Sequence, residues 1–155
     1  MSGMPGIETN RKPDFSGYVT KYNILCTDGR TIRPGAFKEL DGQYVPLVYM
    51  HNHKDLDNVL GKMLLEHRDD GVYGYGFFNS TDRGKTGKTL VDHGDISCLS
   101  IYANQLKQQG GDVLHGNIQE VSLVLAGANR GAVIDSRLAH SDNEDEEAFI
   151  CMGDL

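Results

Sequence analysis

A serine, a histidine and a carboxylate, each set in an alternating apolar run, are the residues of this chain best suited to chemistry. Ser100 lies in Leu99-Ser100-Ile101, where a bare hydroxyl on an apolar strand needs a partner or a purpose. His51 closes the segment Val45–His51, in which Val45, Leu47, Tyr49 and His51 share one face, and Glu120 heads the run Glu120–Leu125. A serine becomes a nucleophile when a base, usually histidine, takes its proton and a third group holds that base in one tautomer. Each residue also has a plain structural reading: Ser100 bonded to a neighbouring carbonyl, His51 a half-buried strand histidine, Glu120 an exposed strand end. Composition and spacing alone reach a soluble β-rich domain with hydrolysis within its means.

Other chemistries fit less well. His51 and His53 stand two apart, so a strand would present both on one face as a ligand pair for zinc, but no third ligand stands at a recognisable spacing. Zinc hydrolysis on this pair is therefore the weaker reading. Gly84-Lys85-Thr86-Gly87-Lys88-Thr89 ends like a phosphate-binding loop, yet Asp82 stands where that motif needs its first glycine, and a solvated loop is the better reading. Cys98 shares the strand face of Ser100 and is a conceivable nucleophile, although it reads equally well as packing.

The elements that must position these residues read mainly as strands. Ser16–Leu25 forms a strand or strand pair, Thr27-Asp28-Gly29-Arg30 a turn, and Pro34–Leu40 a short helical segment. Val59–His67 and Gly71–Asn79 flank Arg68-Asp69-Asp70-Gly71, a strong hairpin signal. Gly84–Gly94 is polar, then more helical; Ile96–Ala103 is a strand, Gln105–Gly111 a flexible connection, and Ile118–Leu125 a further strand with Glu120, Ser122 and Val124 on one face. The body is thus an α+β, mostly antiparallel β domain with one to three helices.

Charge divides the chain. The 155 residues carry 22 acids and 15 bases, a net charge of −7. Six of those acids fall in residues 138–155, which contain no Lys or Arg, leaving 16 acids against 15 bases elsewhere. Residues 1–13 read as a flexible leader, 14–137 as the folded domain and 138–155 as an acidic, disordered tail. A near-neutral body offers no basic field for nucleic acid. No apolar run approaches the roughly 20 residues of a membrane span. Three scattered cysteines suit a reducing compartment.

Five stretches, taken in order, resemble the tailed-phage prohead protease family. They are Asp14–Tyr18 with Asp28–Phe37; Val45–His51; Val59-Leu60-Gly61; His93–Ile101; and Glu120–Val124 with Ala126–Asn129, together spanning about residues 14–136. The family is related to the herpesvirus assemblins, which use a Ser-His pair completed by a second His. The resemblance implies Ser100 as nucleophile, His51 as general base and Glu120 as the third member orienting it. It implies an oxyanion site at a backbone N–H near Ala128 or Asn129. Counting forward from Val45-Pro46 selects His51, while counting back from Gly61 selects His53; the reading takes His51 as the base and His53 as a neighbour tuning it. One departure is Tyr102, where the family commonly has glycine two residues after the serine.

The same resemblance implies an assemblin-like closed β-barrel with a few peripheral helices, dimeric, with neither metal nor cofactor. Such a protein would cleave scaffold and capsid proteins, and itself, inside an assembling prohead in the bacterial cytoplasm. The rival expectation is a non-catalytic module of the same fold that binds capsid or scaffold subunits.

Overall fold

A computed structural model describes residues 11–137; the expected acidic tail and most of the expected leader lie outside them. Eight strands carry the architecture: β1 (Phe15–Lys21), β2 (Thr31–Ile32), β3 (Tyr44–Tyr49), β4 (Val59–Arg68), β5 (Gly71–Phe78), β6 (Cys98–Gln109), β7 (Asp112–Val124) and β8 (Ile134–Arg137). One α-helix, α1 (Asp82–His93), crosses from β5 to β6, and short 3-10 turns occupy Lys38–Leu40 and Leu56–Asn58. The helical segment expected at Pro34–Leu40 is the first of these turns.

The strands form one sheet in the order β2-β7-β3-β4-β5-β1-β8, with β6 paired to β7. Most neighbours are antiparallel, but β2 and β3 run parallel to β7, so the sheet is mixed. The expectation of a closed barrel is corrected here. β8 and β6 meet at the isolated Cys98–Val133 bridge, which does not extend into a ladder, and the sheet is not closed. The core beneath it includes Phe15, Phe37, Leu47, Met63, Leu65, Leu99, Leu123 and Ile134.

Strand β7 is the organising element. Along one edge it pairs with the whole of β6; at the two ends of the other it takes β2 (Thr31 opposite Asp112) and β3 (Leu47 opposite Val121). The β4–β5 hairpin turns at Asp69-Asp70, as its sequence signalled. Gln105–Gly111, read as a flexible connection, is instead the far end of the β6–β7 ribbon, with Gln109 opposite Asp112 across Gly110-Gly111. Gly110, at φ 61°, supplies the left-handed backbone that a two-residue hairpin needs. Side chains there are polar because the ribbon tip faces solvent, and polarity hid a ladder held by its main chain.

Helix α1 begins two residues before the segment read as polar loop. The Thr81 side chain accepts from Gly84 N at 3.0 Å, and Gly94, at φ 88°, ends the helix. The loop expected at Gly84–Thr89 is therefore helix. Its glycines are a matter of packing. A Cβ at Gly84 would collide with Asn79, and one at Gly87 would stand 3.0 Å from the Phe78 ring.

Candidate active site

Register brings the site together. On β7, Glu120 and Ser122 are two apart and share a face. Across the β6–β7 ladder Ser100 stands opposite Ser122, and Tyr102 opposite Glu120. The parallel pairing of β3 with β7, Val48 opposite Ser122 and Tyr49 opposite Leu123, delivers the end of β3 above these side chains. Three adjacent strands thus converge on one spot.

His51 is not on a strand, contrary to the sequence reading. β3 ends at Tyr49, and Met50 and His51 both adopt left-handed backbone, φ 53° and 58°. Each such non-glycine residue costs on the order of 1–2 kcal/mol and persists where its surroundings over-determine it. Here they do. Met50 N donates to Leu123 O at 3.1 Å, and His51 N to Ser122 Oγ at 2.8 Å. Asn58, buried, donates through Nδ2 to the carbonyls of Tyr49 and Asn52, both at 2.8 Å. The turn swings the imidazole back over β7.

The result is a continuous chain of hydrogen bonds. His51 Nε2 lies 3.0 Å from Ser100 Oγ, and His51 Nδ1 lies 3.1 Å from Glu120 Oε2. Assigning the Nδ1–H tautomer, which lets Glu120 accept, leaves the Nε2 lone pair free to receive the serine proton. Glu120 is 2% exposed and sits inside β7, not at the exposed strand end of the plain reading. Its carboxylate also accepts from Ser122 Oγ at 2.9 Å and from His53 Nδ1 at 3.2 Å. Burial pushes the Glu120 pKa up, but hydrogen bonds from His51 and Ser122, electrostatic attraction to the His51 ring and the His53 bond together hold it below the usual carboxylate value. A buried carboxylate this well supplied with donors stays ionised.

His53 does not compete for the serine. Its Nδ1 is committed to Glu120 and its ring stacks on Tyr102, centroids 5.0 Å apart. The departure at Tyr102 thereby finds a use, since the ring lies beside Glu120 and braces His53. The histidine pair considered for zinc turns both Nδ1 atoms onto one carboxylate. Cys98 stands opposite Val124, two pairs along the ladder from Ser100 and Ser122.

Ala128 and Asn129, the expected oxyanion turn, share a surface depression with Ser100, a cleft of about 100 Å³. Gly127 lets the turn close on the Leu99 carbonyl, which a Cβ would approach to 2.8 Å. The Asn129 amide ties the turn to Lys21 O at 2.8 Å and to Thr20 Oγ1 at 3.2 Å. Among the described residues, no acceptor is bonded to the main-chain N–H of Ala128 or Asn129.

Two further residues escaped the sequence reading. Ser122 joins His51 to Glu120, and its signal was present: a hydroxyl two residues from an acid on an apolar strand. Asn58 shapes the histidine turn and gave no signal.

A serine, an imidazole and a buried carboxylate in hydrogen-bonded series make the arrangement of a serine hydrolase. The chain belongs to the caudovirus prohead serine protease family, whose model matches residues 4–146. No curated protein matches it. Among solved structures it is similar to the KSHV protease in complex with a hexapeptide phosphonate inhibitor, at 16% identity and a TM-score of 0.58, covering 87% of this chain and 66% of that one. That likeness is one of fold, and this chain spans just under two thirds of the herpesviral protein. Among the described residues, no helix is long and apolar enough to cross a membrane.

Proposed function

We propose that this protein is a serine endopeptidase acting through Ser100, His51 and Glu120. The observation that carries the reading is the 3.0 Å contact of Ser100 Oγ with His51 Nε2, backed by the 3.1 Å contact of His51 Nδ1 with Glu120. Ser100 Oγ attacks the scissile carbonyl carbon as its proton passes to His51 Nε2. Glu120, ionised and buried, stabilises the resulting imidazolium and keeps the ring in place. The main-chain N–H groups near Ala128 and Asn129 face the oxyanion. The C–N bond then breaks, and the imidazolium gives its proton to the departing amine. Water, deprotonated by the same histidine, attacks the acyl-serine and restores the hydroxyl.

Membership of a prohead protease family favours action inside an assembling prohead, and the proposal extends to scaffold and capsid proteins and the enzyme's own chain as substrates, with a dimer as the working form. The test is co-expression with the cognate capsid and scaffold proteins. Ser100→Ala and His51→Ala should each lower processing by about 10⁶-fold, since members of such a unit fail together. A serine-directed phosphonate should modify wild type stoichiometrically and Ser100→Ala not at all. Unchanged processing in both variants overturns the assignment. Capsid binding without labelling favours the non-catalytic module.

A further inference from the structure

The cleft that Ser100, Ala128 and Asn129 line has other walls, and their chemistry is distinctive. Strand β6 contributes Ala103 and Leu106, β2 contributes Ile32, and Phe37 comes from the segment just before the Lys38–Leu40 turn. Phe37 is 1% exposed and Ile32 8%, so these walls are fixed parts of the core. Cys26 adds a thiol whose pKa is raised, by burial first and by Asp28 second, so it remains neutral.

The charges bordering the cleft cancel one another. Arg30 donates through Nη2 and Nε to Asp28 Oδ2, at 2.7 and 3.0 Å, and its backbone N–H to Asp28 Oδ1 at 3.1 Å. With those two charges paired, the remaining walls are mostly apolar, with the polar groups of Thr20, Ser100 and Asn129 among them, and they offer an ionised side chain no counter-charge, so burying one there is costly. Size is the other constraint. A single water needs roughly 10–15 Å³ of such a cavity. A cleft of about 100 Å³ therefore holds several water-sized groups, more than a methyl and suited to a branched or thioether side chain.

We propose that this cleft is the pocket for the substrate side chain preceding the scissile bond, and that it selects an uncharged aliphatic residue of leucine or methionine size. The inference rests on the serine-protease reading, because Ser100 and the Ala128-Asn129 turn, which would hold the scissile carbonyl, are walls of the same cleft. Ala103 and Leu106 set its depth: the first by being small, the second by being removable.

The experiment uses the full chain and a series of peptidyl diphenyl phosphonates that differ in this one side chain. Labelling forms a bond from Ser100 Oγ to phosphorus and expels phenol, which carries off the proton. With wild type, leucine and methionine probes should label about tenfold or more faster than the alanine probe, since each buried methylene is worth on the order of tenfold in rate. Aspartate and lysine probes should stay near background. Ala103→Phe should shrink the cleft and bring the ratio of the leucine to the alanine labelling rate down to about one. Leu106→Ala should enlarge it and bring the phenylalanine probe up to the leucine rate, which decides the matter if Ala103→Phe does not fold. Equal rates across the series, a preference for a charged probe, or ratios unmoved in the folded variants overturn the pocket while leaving the protease reading intact. Failure of every probe to label wild type sinks the protease reading itself.

Discussion

At the scale of single residues, Glu120 concentrates the most consequence in one side chain. It is buried under a serine and two histidines, and every polar neighbour is a donor. A native pKa held below the unfolded value means that these bonds stabilise the fold fully above the ordinary carboxylate pKa of roughly 4.3, and that the contribution is lost as pH falls from there through the depressed native value. Glu120→Gln removes this titration. The variant should be least stable relative to wild type at neutral pH, with the gap closing below about pH 4. Urea unfolding at the two ends of that range checks it, and a gap independent of pH contradicts it. Activity should fall about 10⁴-fold at neutral pH, since an amide in the carboxylate's place favours the wrong imidazole tautomer. Glu120 was readable from the sequence as an acid in an apolar run. Its burial was not, because one alternating face does not reveal that β7 is covered on both sides.

At the scale of elements, the segment from Met50 to Asn58 decides whether the catalytic geometry exists. Periodicity extended β3 through His51 and placed His53 on the same face; the backbone turns left-handed at Met50 instead, and the two imidazoles reach Glu120 from a loop. Alternation could not foretell this. Left-handed methionine and histidine carry no turn signature, and the bonds that enforce them come from Leu123, Ser122 and Asn58, at long range or from an unremarkable amide. The β4–β5 hairpin lay at the other extreme: its turn at Asp69-Asp70 falls inside the Arg68–Gly71 segment whose residues signalled it, although Gly71 itself opens β5 opposite Arg68. Asn58→Ala tests the role of the loop. It strips donors from two carbonyls and the acceptor of Arg83 Nη2, at about 1–3 kcal/mol for the polar groups left unpaired. With the loop relaxed, kcat should drop well over tenfold while KM changes little. Lost stability with an unchanged phosphonate-labelling rate would make Asn58 structural only.

At the scale of the whole molecule, the open sheet explains why stability and reactivity should separate. Its two ends come together at Cys98 and Val133, two residues from Ser100, where Leu99 N donates to Ala132 O and Ile134 N to Ser97 O, both at 2.9 Å. Two glycines let this seam close, and they do so at different distances from Ser100. Gly17 on β1 admits the β8 backbone so tightly that a Cβ would collide with Val133 O and stand 2.8 Å from Ile134 Cα. Gly127 admits the turn that bears Ala128 and Asn129 against the Leu99 carbonyl, where a Cβ would stand 2.8 Å away. In both cases the obstacle is backbone, so the sheet must yield. Gly17→Ala should cost about 1–3 kcal/mol through overpacking, a fall of several degrees in Tm, because it pushes β8 off the edge of the sheet. Its folded fraction should still label at Ser100 at the wild-type rate. Gly127→Ala acts on the segment that would hold the oxyanion, and should lower the labelling rate roughly 10²-fold or more with a smaller change in Tm. Thermal unfolding and phosphonate labelling of both variants separate the two effects. If the two effects fall together in each, the seam and the reactive centre form one mechanical unit; the contrast between contacts that hold β8 and contacts that face Ser100 predicts that they do not.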